Sequence, residues 1–207
     1  MCGGTVCVPD QASRMNDLIG VINKFKVNWT ALTPSVVRMM QPHQVPQLKT
    51  LVLVGEAMSQ QDLVTWADKV MLRNGYGPTE ATCIATSNIM TPQTKPNNLG
   101  KTVTARGWIV SRDDHHSLAP VGAVGELLLE GGAVGVGYLN NPEKTAQAFI
   151  NDVRWSAEIF HDDASASLRI YKTGDLVKYN EDGTMLVSYC YVTRWLDQVL
   201  TLLVSWP

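Results

Sequence analysis

The sequence lacks an excess of charge of either sign. Its 207 residues include 17 Lys and Arg against 19 Asp and Glu, for a formal net charge of −2. A protein that binds nucleic acid or an anionic membrane over a broad surface usually carries a basic face, which shifts this balance. The near-neutral composition therefore argues against nucleic-acid and membrane partners.

Cysteine is scarce and is never arranged in close pairs. The four cysteines are Cys2, Cys7, Cys83 and Cys190, and no two of them form a C-x-x-C motif. This spacing excludes the usual zinc-site and small disulfide frameworks. We expect buried thiols in a reducing compartment.

Long hydrophobic runs are also missing. No window approaches the roughly 20 apolar residues of a membrane span, and residues 1–10 lack a basic segment followed by an apolar one. We therefore expect a cytoplasmic protein. Hydrophobic residues still make up 45% of the chain, enough for a real core in one large or two small domains.

Short β-branched runs alternate with amphipathic stretches over the first 85 residues. The pattern predicts strands at 5–8, 28–32 and 50–54, and helices at 13–25, from 33 onward and at 59–71. This rhythm is typical of right-handed β-α-β units in a parallel sheet, where ligands bind beyond the carboxyl ends of the strands. After about residue 100 the pattern changes to short strands and turns, including a hairpin formed by 107–110 and 126–129.

The segment N-G-Y-G-P-T-E-A-T, at 74–82, has the residues of a nucleotide-binding loop. Glycines on both sides of Tyr76 permit positive φ and a close approach of the backbone to a flat ligand. The tyrosine ring could stack on a purine, while Thr79 and Glu80 offer oxygen ligands suited to Mg²⁺ beside phosphate. An ordinary Gly/Pro loop between a helix and a strand is the alternative that the residues leave open.

Three further segments accompany this one in a recognisable order. They are L-K-T-L-V-L-V-G-E-A-M at 48–58, G-E-L-L-L-E-G-G-A-V-G-V-G-Y-L-N-N-P-E-K-T-A-Q-A-F at 125–149, and R-I-Y-K-T-G-D-L-V-K-Y-N-E-D-G at 169–183. Over residues 1–187 the chain resembles adenylate-forming enzymes, most closely the amino-acid adenylation domains of fungal nonribosomal peptide synthetases.

The resemblance implies an α/β fold, a truncated version of the adenylate-forming (AMP-binding) architecture. Residues 1–100 would form a partial parallel β-α-β core subdomain with the nucleotide loop. Residues 101–187 would form a smaller β-rich subdomain with the ribose-binding motif, and 188–207 a divergent tail in place of the hinge.

The resemblance also implies roles for individual residues. Asn74 would reach the adenine amino group and Tyr76 would stack on the base. Thr79 and Glu80 would act catalytically by contacting phosphate and Mg²⁺, with Glu80 as the metal ligand. Asp175 would accept hydrogen bonds from the two ribose hydroxyls, a task that suits a carboxylate with two oxygens.

Further positions match the family's nucleotide and substrate sites. Gly77 belongs to the nucleotide-binding set. The positions that match the amino-acid pocket are Val36, Val52, Val54, Gly75, Cys83 and Ile84. All are uncharged, so we expect the pocket to prefer an aliphatic or aromatic side chain, because burying an unpaired charge is costly. The identity of the amino acid stays open.

Several family elements do not occur in the sequence. The phosphate loop, the pocket aspartate and the catalytic lysine are absent, and the tail keeps the spacing of Arg194, Gln198 and Val199 but has Leu196 at the hinge aspartate position. A retained intron, a frameshift or a gene remnant would each explain this tail. We expect the isolated chain to be at best a weak nucleotide binder and not a competent enzyme.

The activity implied by the resemblance is ATP-dependent ligation, in which an amino acid and ATP give aminoacyl-AMP and pyrophosphate. The acyl group would then pass to the phosphopantetheine thiol of a carrier domain, so carrier and condensation domains are the expected partners. A non-catalytic remnant and a fragment of an acyl-CoA or aryl-acid ligase are the alternatives. The segments at 138–142 and 169–175 favour the peptide synthetase branch over the latter.

Overall fold

A computed structural model describes residues 3–155, 169–189 and 202–205, and these divide into two compact units. The first unit contains 3–74, 89–96 and 202–205, and the second contains 75–88, 97–155 and 169–189. Each unit has its own core. The domain bounds expected from the sequence, at 100 and 187, stay predictions.

The strands and helices follow one another along the chain in a mixed α/β order. They are β1 (Thr5–Val6), α1 (Gln11–Asn16), α2 (Leu18–Lys24), β2 (Trp29–Leu32), α3 (Pro34–Val37), β3 (Thr50–Val54), α4 (Gln60–Trp66), β4 (Met71–Tyr76), β5 (Thr86–Ile89), β6 (Asn98–Thr102), β7 (Arg106–Val110), β8 (Gly125–Glu130), α5 (Pro142–Ala148), β9 (Phe149–Ile150), β10 (Ile170–Tyr179), β11 (Met185–Tyr189) and β12 (Leu202–Ser205).

The first unit is built on strands in the order β1, β12, β2, β3, β4. Strands β2 and β3 run parallel, with Trp29 opposite Thr50, whereas β12 is antiparallel to β2. The predicted β-α-β unit is thus confirmed. Strand β3 is apolar and buried at its centre, as expected for a strand covered on both faces.

Large apolar side chains form the core of the first unit. Fully buried members include Ile22, Leu32, Leu51, Leu53, Leu63, Trp66 and Leu72. They come from α2, β2, β3, α4 and β4, so the core joins two helices and three strands of the unit.

Two predicted helices differ from those observed. The helix expected at 13–25 is two helices, because Asp17 interrupts it and its carboxylate accepts a hydrogen bond from Gly20 N at the start of α2. The helix expected at 59–71 ends at Trp66. Lys69 N donates to the Trp66 carbonyl, which closes the final turn before β4 begins at Met71.

The start of α4 carries the main polar cluster of the first unit. Ser59 caps the helix, as its position in the sequence predicts, and its backbone N donates a hydrogen bond of 2.8 Å to the Asp62 carboxylate. Arg38 then binds both carboxylate oxygens of Asp62, at 3.0 and 2.8 Å. Asp62 is only 3% exposed, so this arginine compensates a buried charge.

The second unit is an antiparallel arrangement in the order β5, β6, β11, β10, β8, β7, with β9 paired to β10. Strands β7 and β8 form the hairpin that the sequence predicts. A core of aliphatic and aromatic side chains lies against these strands, and its buried members include Tyr76, Leu99, Ile109, Leu127, Leu129, Tyr171, Val177 and Met185.

The thiols differ from the expectation of burial. Cys83 is exposed and Cys7 is half-buried, and both are free, while Cys2 and Cys190 lie outside the described residues. Among the helices of the described ranges, none has the length and apolar character needed to cross a membrane.

Candidate functional site

Two residues predicted to contact a nucleotide meet in the second unit. The hydroxyl of Tyr76, the last residue of β4, donates a hydrogen bond to Oδ2 of Asp175 on β10. The residues are 99 positions apart in sequence, and their exposed fractions are 7% and 0%. The fold therefore brings together side chains that the sequence assigned to adenine and ribose.

An irregularity in β10 presents Asp175. The register of β10 against β8 shifts between Lys172 and Leu176, and Gly174 has a φ of +74° inside this shift. Thr173 fixes the bend, since its Oγ1 donates to the Leu127 carbonyl at 2.7 Å and accepts from Asp175 N at 3.0 Å. Gly174 supplies the left-handed conformation that a side chain disfavours.

Glu80 lies in a short 3₁₀ turn, Thr79–Ala81, that follows β4. Its Oε1 accepts a hydrogen bond of 2.6 Å from the hydroxyl of Tyr138. The turn is anchored by its backbone, because Gly135 N donates to the Glu80 carbonyl at 2.8 Å. Thr82 Oγ1 adds a hydrogen bond of 2.5 Å to the Ala133 carbonyl.

A second tyrosine adjoins this pair. Burial raises the pKa of Tyr171, and its hydrogen bond with Tyr138 and the nearby charge of Glu80 raise it further. The pKa of Tyr138 is also raised, first by burial and then by its hydrogen bond to Glu80. Both hydroxyls therefore keep their protons at neutral pH and can act as donors.

The glycines beside Tyr76 do not have the conformation that the sequence suggested. Neither Gly75 nor Gly77 has positive φ. At Gly77 an added Cβ would lie 2.5 Å from Ala85 N, so the chain's own backbone occupies the space that we assigned to a ligand. The segment is also not simply a loop, because Asn74, Gly75 and Tyr76 end β4 and the hydrogen bond from Ala85 N to the Tyr76 carbonyl holds that end.

The remaining predicted residues divide between the two units. The first unit contains Asn74 and the pocket positions Val36, Val52 and Val54. Asn74 and Val52 are buried, whereas Val36 and Val54 are half-buried. The second unit contains Gly75, Cys83 and Ile84, of which Cys83 is exposed. The pocket lining stays a prediction. The tail positions Arg194, Leu196, Gln198 and Val199 lie outside the described residues.

Sequence reasoning missed Tyr138 and Tyr171 as neighbours of the site. Tyr138 is 58 positions from Glu80, so no local spacing links them. A usable signal did exist, because both tyrosines lie within the segments at 125–149 and 169–183 that carry the resemblance.

Comparisons with known proteins agree with this fold. The family model described as "AMP-binding enzyme" matches residues 1–139. Nonribosomal peptide synthetase 4 of Gibberella zeae is 47% identical over 184 residues, which is 88% of this chain and 2% of that protein. N-benzoylphenylalaninol synthetase of Penicillium brevicompactum is 48% identical over 185 residues, which is 89% of this chain and 8% of that protein.

Solved structures resemble the chain at the level of the fold. A holo NRPS protein containing adenylation and PCP domains, bound to a vinylsulfonamide inhibitor, matches with a TM-score of 0.69 and 22% identity, over 84% of this chain and 30% of that one. The crystal structure of the nonribosomal peptide synthetase FmoA3 matches with a TM-score of 0.71 and 20% identity, over 88% and 20%.

These matches confirm the truncated adenylate-forming fold and the resemblance to fungal peptide synthetases. The chain spans only 2% and 8% of the two curated relatives named above, so it corresponds to a segment of an adenylation domain within much longer proteins. Because the family model covers 139 of 207 residues, the chain belongs to the family of AMP-binding enzymes.

Proposed function

We propose that this chain supplies the adenosine-binding part of an ATP-dependent amino-acid adenylation domain. The observation that carries the proposal is the Tyr76–Asp175 pair, in which an aromatic ring and a carboxylate lie side by side. A ring can stack on adenine, and a carboxylate can accept hydrogen bonds from both ribose hydroxyls. Nucleosides combine these two features, and few other small ligands do.

Binding at this pair requires a rearrangement. Asp175 is fully buried and already accepts the Tyr76 hydroxyl, so ribose hydroxyls can reach it only if the tyrosine moves. The ribose hydroxyls would take the place of the Tyr76 hydroxyl at the carboxylate, and the displaced ring would then be available to stack on the base. Asn74 would contact the adenine amino group.

Thr79 and Glu80 would act at the phosphate end of the nucleotide. Thr79 is exposed and Glu80 is half-exposed, so both can reach a ligand from the turn. Among the described residues no group of three His, Cys, Asp or Glu could hold a metal ion alone. Mg²⁺ commonly uses one or two carboxylates and completes its shell with substrate phosphates and water, a pattern that Glu80 beside ATP fits. The ion would neutralise phosphate charge during attack by the amino-acid carboxylate.

The whole reaction belongs to the longer proteins that this chain matches. We propose that the substrate is an amino acid or a related carboxylic acid, held by the uncharged positions Val36, Val52, Val54, Gly75, Cys83 and Ile84. The product would pass to a phosphopantetheine thiol on a carrier domain, with a condensation domain as a further partner. The isolated 207-residue chain contains no phosphate loop or catalytic lysine, and we expect it to show no amino-acid-dependent pyrophosphate exchange.

Nucleotide binding tests the proposal directly. Calorimetric titration of the 207-residue chain should detect ATP, and Asp175→Asn should weaken ATP binding about 10- to 100-fold, the effect of losing hydrogen bonds to a charged group. Binding of 2′,3′-dideoxy-ATP, which lacks both ribose hydroxyls, should be weak in the wild type and unchanged by the substitution.

The control is Asp113→Asn, which removes the same charge from an exposed position between β7 and β8. It should leave ATP binding unchanged. Equal affinities of the wild type and Asp175→Asn for ATP would show that Asp175 does not hold the ribose. Absence of ATP binding by the wild type would refute the proposed function for this chain.

A further inference from the structure

One oxygen of the Glu80 carboxylate is held by a hydrogen bond. Oε1 accepts the 2.6 Å hydrogen bond from the Tyr138 hydroxyl. A carboxylate that ligates Mg²⁺ through a single oxygen uses the other for a hydrogen bond, and such partners fix the orientation of the ligand. Tyr138 is placed to do this for Glu80.

Tyr138 is itself held on several sides. Its backbone N donates to Thr145 Oγ1 at 2.9 Å, and its ring meets Phe149 edge-on with centroids 5.5 Å apart. Lys144 Nζ lies 4.4 Å from the centre of the ring. These contacts come from α5 and β9, so regular elements of the second unit fix the position of the hydroxyl.

The glycine before Tyr138 makes this close approach possible. Gly137 has a φ of +143°, and an added Cβ would lie 2.5 Å from Thr145 Cγ2. Any side chain here would collide with the side chain of Thr145. The backbone is thus shaped to bring Tyr138 against Thr145 and, through its side chain, against Glu80.

Tyr171 supports the arrangement from the interior. It is buried, packs against Phe149 with centroids 5.1 Å apart, and its hydroxyl interacts with both the Tyr138 hydroxyl and Glu80. The Tyr138 hydroxyl itself donates to Glu80. Tyr171 therefore supports this hydrogen bond from the interior of the second unit.

We propose that Tyr138, supported by Tyr171, is a positioning residue that holds one carboxylate oxygen of Glu80 and leaves the other for the divalent cation bound with ATP. The inference rests on the proposed function, since it concerns the metal that accompanies the nucleotide. Tyr138 touches neither the nucleotide nor the cation in this scheme. Its effect is confined to the geometry of the metal ligand.

The dependence of nucleotide binding on the metal tests this role. ATP affinity of the 207-residue chain is measured with and without Mg²⁺, and Mn²⁺ binding in the presence of ATP is followed by electron paramagnetic resonance. Tyr138→Phe should reduce the affinity for the metal–ATP complex about 10- to 100-fold, the usual effect of removing the partner of a metal ligand. Affinity for metal-free ATP should stay the same.

Tyr179→Phe provides the matched control. Tyr179 is a half-buried tyrosine of the second unit whose hydroxyl donates to the Gly107 carbonyl at 3.1 Å. It loses a hydroxyl of the same kind, and neither affinity should change. Tyr171→Phe retains Tyr138 and should give a smaller loss of metal–ATP affinity, about 2- to 10-fold, corresponding to one neutral hydrogen bond.

The outcomes separate this inference from the proposed function. Equal losses for metal-free and metal-bound ATP in Tyr138→Phe, or losses no larger than in Tyr179→Phe, would overturn the positioning role while leaving the nucleotide site. ATP binding by the wild type without any enhancement by Mg²⁺ would also overturn it. If circular dichroism shows that Tyr138→Phe does not fold, Tyr171→Phe is compared with Tyr179→Phe instead. A loss of metal–ATP affinity in Tyr171→Phe no larger than in Tyr179→Phe would then overturn the positioning role. A wild type that binds no ATP would refute both proposals.

Discussion

In the first unit Asp62 is buried against an arginine, whereas in the second unit Asp175 is buried against a tyrosine. Asp62 is bound at both oxygens by Arg38 and also accepts from Ser59, so its charge is compensated within the unit. Asp175 accepts a hydrogen bond from the neutral hydroxyl of Tyr76. The Arg38–Asp62 ion pair holds α4 in place. The Tyr76 hydroxyl at Asp175 could instead be replaced by the hydroxyls of a ligand.

We expect the two buried aspartates to have different roles, one in the stability of the fold and the other in ligand binding. The Arg38–Asp62 pair joins α3 to α4 beside a core of large aliphatic side chains, and its loss should affect unfolding. The Tyr76–Asp175 pair lies among tyrosines and glycine turns, and its loss should affect ligand binding. Substitutions at and around the two pairs test this difference.

Replacing Arg38 by Met should reduce the free energy of unfolding by about 2 kcal/mol. Removing one partner of a fully buried ion pair costs about 3 to 5 kcal/mol, and the arginine here is 48% exposed, which lowers that figure. Urea denaturation followed by circular dichroism measures the change. Under conditions in which both proteins are fully folded, Arg38→Met should bind ATP with the same affinity as the wild type.

The matched control is Arg106→Met in the second unit. Arg106 lies 3.4 Å from Glu130 and its side chain is 64% exposed, so its loss should lower the unfolding free energy by less than about 1 kcal/mol. If the two arginine variants were equally destabilised, the assignment of a structural role to the Arg38–Asp62 pair would be wrong.

Replacing Gly137 by Ala should destabilise the second unit by about 1 to 3 kcal/mol, because the backbone there is unfavourable for a side chain. The clash with Thr145 should also displace Tyr138 and weaken binding of the metal–ATP complex. Gly132→Ala is the control, since no atom lies within 4 Å of its added Cβ. Similar melting temperatures for the two variants would contradict this explanation.

Replacing Tyr76 by Phe should separate stacking from hydrogen bonding. The variant leaves buried Asp175 without the tyrosine donor, which should lower the unfolding free energy by about 1 to 3 kcal/mol. ATP binding should tighten several-fold, since no bond to Tyr76 has to be broken. Tyr76→Ala, which also loses the ring, should instead bind ATP more weakly than Tyr76→Phe by about 1 to 3 kcal/mol.

Calorimetric titration of both Tyr76 variants measures these changes. Weaker ATP binding by Tyr76→Phe than by the wild type would mean that the hydroxyl itself contacts the nucleotide. The proposed exchange at Asp175 would then be incorrect.

The smallest expected effect is the loss of unfolding free energy at acid pH, which tests the charge of Asp62. Burial alone would raise the pKa of Asp62, but hydrogen bonds from Arg38 and Ser59 outweigh it and the pKa is lowered. A lowered pKa gives stability that is complete above the unfolded value of about 3.9 and is lost as pH falls through the folded value. The difference in unfolding free energy between wild type and Asp62→Asn should therefore be constant from about pH 5 to 7 and shrink below about pH 4.

Denaturant unfolding at each pH provides this measurement. A difference that stayed constant into acid would show that the charge of Asp62 is not what stabilises α4.

Local signals predicted the parts of the fold that local physics determines. Strand β3 was correctly bounded because an apolar run from Leu51 to Val54 follows Thr50, and Ser59 was correctly identified as a helix cap. The continuous helix at 13–25 was wrong because the apolar spacing hid Asp17, whose carboxylate competes for backbone donors and starts a new helix. An S-x-x-D pattern at Ser59 could also have revealed the role of Asp62.

The candidate site depended on pairings that no window of sequence contains. Family motifs indicated Tyr76, Glu80 and Asp175 separately, but the contacts among them and with Tyr138 span 58 and 99 positions. Glycine composition was misleading at Gly77, where the close neighbour is the backbone at Ala85. Chain packing, not composition, determines which groups meet.

At the proposed nucleoside site, the hydrogen bond between Tyr76 and Asp175 would make ligand affinity depend on the fraction of molecules in which this bond is open. In the proposed site, only molecules in which the tyrosine has left the carboxylate could accept a nucleoside, so the apparent dissociation constant would be the intrinsic one divided by the open fraction. If the closed form made up nine-tenths of the molecules, affinity would fall roughly tenfold with no change in any contact to the ligand. Anything that favours the open form, including a neighbouring segment or a second substrate, would then tighten nucleotide binding without touching the nucleotide.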